Sequence, residues 1–152
     1  MNEFMKVAIE EARRGMTSMH GGPFGAVIVK NGKIVGRGHN KVVLWNNPTL
    51  HGEMVAIGHA GRTIDSFDLS GCDIYTTGEP CAMCLCALMW ANIKTIYYGC
   101  TKKDADSIGF RDELFDNMLS LDRSGIDMVQ VDHKACRELF DDYAKLKGKT
   151  AY

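Results

Sequence analysis

No apolar run in the sequence approaches the roughly 20 residues that a membrane crossing requires, so no spanning helix is expected. The opening residues, Met1-Asn2-Glu3-Phe4-Met5-Lys6, lack the basic and apolar regions of a secretory leader, and the expected location is the cytoplasm. An excess of charge of one sign is missing too: 18 Lys and Arg stand against 19 Asp and Glu, a formal net charge of −1. Such a chain has no global basic field, so neither nucleic acid nor an anionic membrane surface is an expected partner. The six cysteines show no disulfide-framework spacing, which suits a reducing compartment. Repeats, low-complexity tracts and interior linkers are also absent. At 152 residues the chain reads as one domain, 1–152, able to bury a core unaided.

What is present is concentrated in two short stretches, His51-Gly52-Glu53 and Glu79-Pro80-Cys81-Ala82-Met83-Cys84. Proline at a first helical position presets the helical φ at no cost, so Pro80 is expected to open a helix carrying both thiols in its first two turns. Cys81 and Cys84 then share one face, and the positive end of the helix dipole favours thiolate over thiol. Two thiolates leave a tetrahedral zinc two ligands short. His51 would be the third, and three protein ligands with one open position mark a catalytic rather than a structural zinc. Glu53 is suited to move protons to and from water at that position. A redox pair or half of a structural zinc site also fits a lone Cys-x-x-Cys. The redox reading, however, explains neither His51 nor Glu53, and no second Cys-x-x-Cys completes a structural site. Cys86 reads as core packing, and Cys72, Cys100 and Cys136 as buried or free thiols.

Along the chain, Asn2 to Met16 has the apolar spacing of an amphipathic helix, with Glu10, Glu11, Arg13 and Arg14 on its outer side. Phe24 to Lys30 and Lys33 to His39 are strands joined by Asn31-Gly32, a strong hairpin signal. The first is apolar at consecutive positions, as in an α/β sheet covered on both faces. Phe24 at its start either overhangs a pocket or packs in the core, and Asn40 after the second strand reads as a turn residue. Asn47 and Pro48 look like a helix entrance leading to His51 and on to about Ile64. Asp73 to Thr77 is a third strand delivering the cysteine helix, Cys81 to Trp90, which is apolar almost all round and expected to be buried. Strands at 94–98 and 127–132 and a helix at 133–147 complete the reading. Asp112 precedes Glu113-Leu114-Phe115 and reads as a helix cap, Trp90 as core, the remaining histidines as packed or solvent-facing, and the last six residues as a frayed tail.

Histidine-x-glutamate followed by Pro-Cys-x-x-Cys resembles the zinc-dependent nucleobase deaminases of the cytidine deaminase superfamily. The resemblance runs from about Gly21 to Phe115. It is nearest the small bacterial guanine deaminases, through Gly109-Phe110-Arg111-Asp112, with cytosine deaminase-like features in Gly38-His39-Asn40 and Thr49 to Glu53. It implies a three-layer α/β/α fold around a five-stranded mixed sheet and one zinc per chain, held by His51, Cys81 and Cys84. Glu53 would be the proton carrier and Asn40 would hold the base, near Phe24. Trp90 would wall the pocket, and Asp112 would bind the purine and assist proton transfer. It further implies a homodimer in which the segment from about 133 to 152 crosses between subunits and Tyr152 closes the partner's site. The implied reaction is guanine to xanthine plus ammonia; cytosine, a nucleoside, or adenosine in transfer RNA are the alternatives.

Overall fold

The computed structural model describes residues 1–119 and 125–150. Five strands form one mixed sheet in the order β2-β1-β3-β4-β5. Strands β1 (Gly25–Lys30) and β2 (Lys33–His39) make an antiparallel hairpin, with a register irregularity between Ile28 and Val29. Its turn is Asn31-Gly32, both with positive φ (50° and 72°), the backbone that matches strand twist and that Asn-Gly adopts most readily. Strand β3 (Cys72–Gly78) is antiparallel to β1 and parallel to β4 (Thr95–Cys100), which in turn is parallel to β5 (Asp127–Gln130).

Side chains of a strand alternate between faces, and β1 feeds two separate cores. Ala26 and Ile28 join Ile74 and Ile96 on one face, under Ala56 and Ala60 of α3 (Gly52–Ile64) and Leu85 and Leu88 of α4 (Ala82–Trp90). Val27 and Val29 join Tyr75 on the other face, under Met5, Ala8 and Ile9 of α1 (Glu3–Thr17) and Cys136 and Phe140 of α7 (His133–Lys145). The result is the expected three-layer α/β/α arrangement. Gly25 lets α1 lie directly on the sheet, since a Cβ there would sit 2.1 Å from the Ala8 carbonyl oxygen. Short helices α2 (Val42–Trp45), α5 (Lys102–Asp106) and α6 (Asp112–Leu119) ride on the connections. No helix among the described residues is long and apolar enough to cross a membrane.

Several local expectations are corrected. Asn47 and Pro48 do not open a helix: the Asn47 side chain accepts from the Thr49 N–H at 2.9 Å in a turn, and α3 starts only at Gly52. Glu11, placed on the outer side of α1, is 5 % exposed; it accepts from Arg14 and lies 3.1 Å from His39, which in turn lies 2.9 Å from His20. A partnered carboxylate can be buried where an isolated one cannot, and its partners lie mostly on distant segments. Cys86 is exposed rather than packed, and α4 buries only the face bearing Ala82, Cys84, Leu85 and Leu88.

Ile74 is fully buried at the centre of the sheet, whereas Phe67 is 93 % exposed. In urea unfolding, Ile74→Ala is expected to cost about 2–5 kcal/mol, and Phe67→Ala less than about 0.5 kcal/mol.

Candidate active site

The parallel strand β3 ends at Gly78 and hands the chain through Glu79 and Pro80 to α4. The carboxyl end of a strand feeding a helix is where open α/β sheets place their ligands. Cys81 is the N-cap of α4, not a residue of its first turn, and His51 is the N-cap of α3. Both have extended backbones, with ψ of 170° and 160°, and neither makes a side-chain capping bond. Caps are ordinarily Ser, Thr, Asp or Asn. Here the side chains turn toward each other instead.

His51 Nδ1 lies 3.5 Å from Cys81 Sγ and 3.6 Å from Cys84 Sγ. A tetrahedral zinc with bonds of about 2.0–2.1 Å to nitrogen and about 2.3 Å to sulfur separates these atoms by roughly 3.5–3.6 Å. The donor set and its spacing therefore fit that ion. The three ligand atoms form one of two such clusters among the described residues. The other, Cys100, Asp104 and His133, is already occupied by hydrogen bonds: both Asp104 oxygens accept, from Thr101, His133 and Arg137.

The cluster sets the protonation of its surroundings. A hydrogen bond from Cys84, aided by His51 and opposed by burial, holds the Cys81 thiol down at about 4. Cys84 is pushed well up, because it supplies that hydrogen bond and is buried. Burial pulls His51 down, but its bond to Cys81 and the charge of Glu53 outweigh it and leave the imidazole raised. Glu53 is 6 % exposed, and burial together with the neighbouring Cys81 thiolate raises its carboxyl to about 7. Asp112, raised to about 6 chiefly by burial, stands at the start of α6 on the same cleft.

That cleft is lined by Phe24, Asn40, His51, Glu53, Glu79, Cys81, Phe110 and Asp112. Seven candidates from the sequence thus meet at one place: Cys84 through its contact with His51, and Phe24, Asn40, His51, Glu53, Cys81 and Asp112 on the wall. Trp90 does not. It is 86 % exposed at the far end of α4, eight residues beyond the first helical residue and so roughly 12 Å along the axis from the cysteine end. Tyr152 lies outside the described residues. Residue type and spacing do not mark Glu79 or Phe110 as site residues, although Glu79 adjoins Pro80-Cys81 and Phe110 lies within Gly109 to Asp112. Phe110 meets Phe24 edge-on with centroids 4.8 Å apart, a contact between segments 86 positions apart.

Residues 1–100 match the family model for the cytidine and deoxycytidylate deaminase zinc-binding region. The chain belongs to this deaminase family. It is 44% identical to a guanine deaminase of Bacillus subtilis over 109 residues, which is 72% of this chain and 70% of that one. It is 41% identical over 100 residues to a tRNA-specific adenosine deaminase of Aquifex aeolicus, 66% of each chain. A solved structure in complex with 8-azaguanine superposes with a TM-score of 0.82 at 25% identity, covering 94% of this deaminase and 84% of that chain. The family match stops at residue 100, short of Asp112 and the tail.

The metal centre has a direct test in the deaminase's zinc content, read by elemental analysis of the purified protein. Cys81→Ala and Cys84→Ala are expected to reduce bound zinc to background. Cys86→Ala, on the exposed side of the same helix, is expected to retain the wild-type content.

Proposed function

We propose that this deaminase acts hydrolytically on a free nucleobase, with guanine converted to xanthine and ammonia. The observation that carries the reading is the cleft itself, where aromatic walls and convergent polar groups meet beside the three donor atoms. The likeness to guanine deaminase and to a chain holding 8-azaguanine supports a purine.

Each wall residue has work that its position allows. Phe24 and Phe110 offer ring surfaces against which a planar base can pack. The Asn40 side-chain oxygen accepts from the Val42 N–H at 3.0 Å, which holds the amide still and leaves its NH₂ to donate to a ring carbonyl. A zinc ion, one per chain, held by His51, Cys81 and Cys84 would act as the Lewis acid that makes water nucleophilic near neutral pH. Glu53 takes a proton from the attacking water as oxygen bonds to C2, and passes it to the adjacent ring nitrogen. It then takes the proton of the hydroxyl now bonded to C2 and delivers it to the exocyclic nitrogen, so that the C2 carbonyl forms as the C2–N bond breaks and ammonia leaves. A carboxyl held at about 7 gives and takes protons readily at neutral pH. Asp112, across the cleft, accepts hydrogen bonds from ring N–H groups and can share in the proton movements.

The 41% identity with a tRNA-specific adenosine deaminase favours a second reading, adenosine within transfer RNA. A formal net charge of −1 weighs against it, because polynucleotide binding draws on many Lys and Arg contacts to phosphate. We also propose a homodimer. The apolar side chains left exposed on α4 (Met89, Trp90) and on the touching helix α6 (Leu114, Phe115, Met118, Leu119) support it, since a second copy would cover them. Described residues of the tail reach Thr150, beside Met19, Gly21 and Val43 of the same chain. Exchange of the segment from about 133 to 152 between subunits, with Tyr152 closing the partner's cleft, is part of this proposal.

Ammonia release is expected with guanine and weak or absent with guanosine, cytosine and a transfer RNA anticodon stem. Release from the RNA alone would replace this reading by the second. Glu53→Gln should keep its zinc and lose about 10²–10⁴-fold in kcat. Removing the last three residues should sharply lower turnover with zinc retained, and full activity in that truncation would end the role given to Tyr152.

A further inference from the structure

We propose that Lys102 is a positioning residue for the deamination. Its ammonium ties Asp116 on α6 to Glu79 at the head of α4, and so sets where Asp112 stands over the cleft. The inference rests on the deaminase reading of that cleft. Lys102 is 6 % exposed, unusual for a lysine unless it is paired. Its Nζ contacts Asp116 Oδ2 and lies 3.7 Å from Glu79 Oε1, while its own backbone N–H donates to Glu79 Oε2 at 3.1 Å. Glu79 is bound from its other end as well, its N–H donating to the Cys100 carbonyl at 2.7 Å. Glu79 lines the cleft two residues before Cys81. One buried cation therefore links the approach to the metal centre with helix α6.

Helix α6 has special need of such a tie. Within its own chain it buries none of its residues, so the apolar packing that seats an ordinary surface helix is weak there. Asp112 and Asp116 are four apart and share a face, where like charges repel. Lys102 lies between that face and the Glu79 carboxylate, and the Asp112 carboxyl feels its positive charge. Without the ammonium, three carboxylates crowd one edge of the cleft and α6 loses the tie to Glu79 that helps to set where Asp112 stands.

The test uses the zinc-loaded protein and whichever base the wild type turns over. Lys102→Met is expected to lower kcat/KM about 10–100-fold, the usual consequence of a misplaced contact, with wild-type zinc content. In an Asp112→Asn background the same change should add less than about 3-fold, because both remove the same contact. Hydrogen exchange gives a readout independent of activity: amides of 112–119 should exchange faster in Lys102→Met, and those of 82–90 should not. Should Lys102→Met fail to accumulate as folded protein, Asp116→Asn carries the same expectations while leaving Lys102 paired with Glu79. Unchanged kcat/KM, unchanged exchange in α6, or a loss that multiplies in full on Asp112→Asn each overturns the proposal. A wild type inert on every base would instead overturn the reading of the cleft, and this proposal with it.

Discussion

Two helix N-termini aimed at one point are the constraint that the rest of this structure serves. His51 and Cys81 occupy cap positions without capping, so each helix begins with backbone N–H groups that its own cap side chain does not satisfy. What is forgone locally is returned as a set of three donor atoms whose spacing suits a divalent ion. The positive ends of both helix dipoles favour an anionic sulfur there. Holding the two ends together falls to the sheet, because α3 and α4 pack on one shared face of it through Ala56, Ala60, Leu85 and Leu88. Metal affinity and fold stability are coupled for the same reason: an ion that binds only the assembled site stabilises it.

Around that point the cleft is crowded with acids. Glu53, Glu79, Asp112 and the Cys81 thiol line it, and burial raises Glu53 and Asp112 toward neutrality. A site so built tolerates a cation well. Opposing charge comes from His51 inside the cleft and from Lys102 behind its wall. Glu11 and His39, with the half-buried His20, form a second place where polar side chains enter the interior only because they partner one another.

How legible was this beforehand? The sheet was nearly complete in the sequence, because alternation, an Asn-Gly turn and apolar runs are local signals that β1 to β4 obey. The grouping of His51, Cys81 and Cys84 was legible too, since Cys-x-x-Cys and His-x-Glu are short motifs of metal-ligating residue types. The less legible parts depend on distant partners. Glu11 looked exposed by helical period, yet the histidines that admit it to the interior lie on other segments. Cys86 and Trp90 looked buried because α4 is apolar all round, yet only one face of that helix meets its own chain.

Residue types and their spacing by themselves determined the strands and the main helices, through periodicities of two or 3.6 residues, and picked out His51, Cys81 and Cys84 as a set of metal-ligating residue types. Only the folded chain decided that Asp112 faces the same cleft as His51, that Phe110 closes against Phe24, and that Lys102 is buried between two acids. Those pairings join segments with no common period in the sequence. They exist because the crossover connections bring those segments to the same end of the sheet.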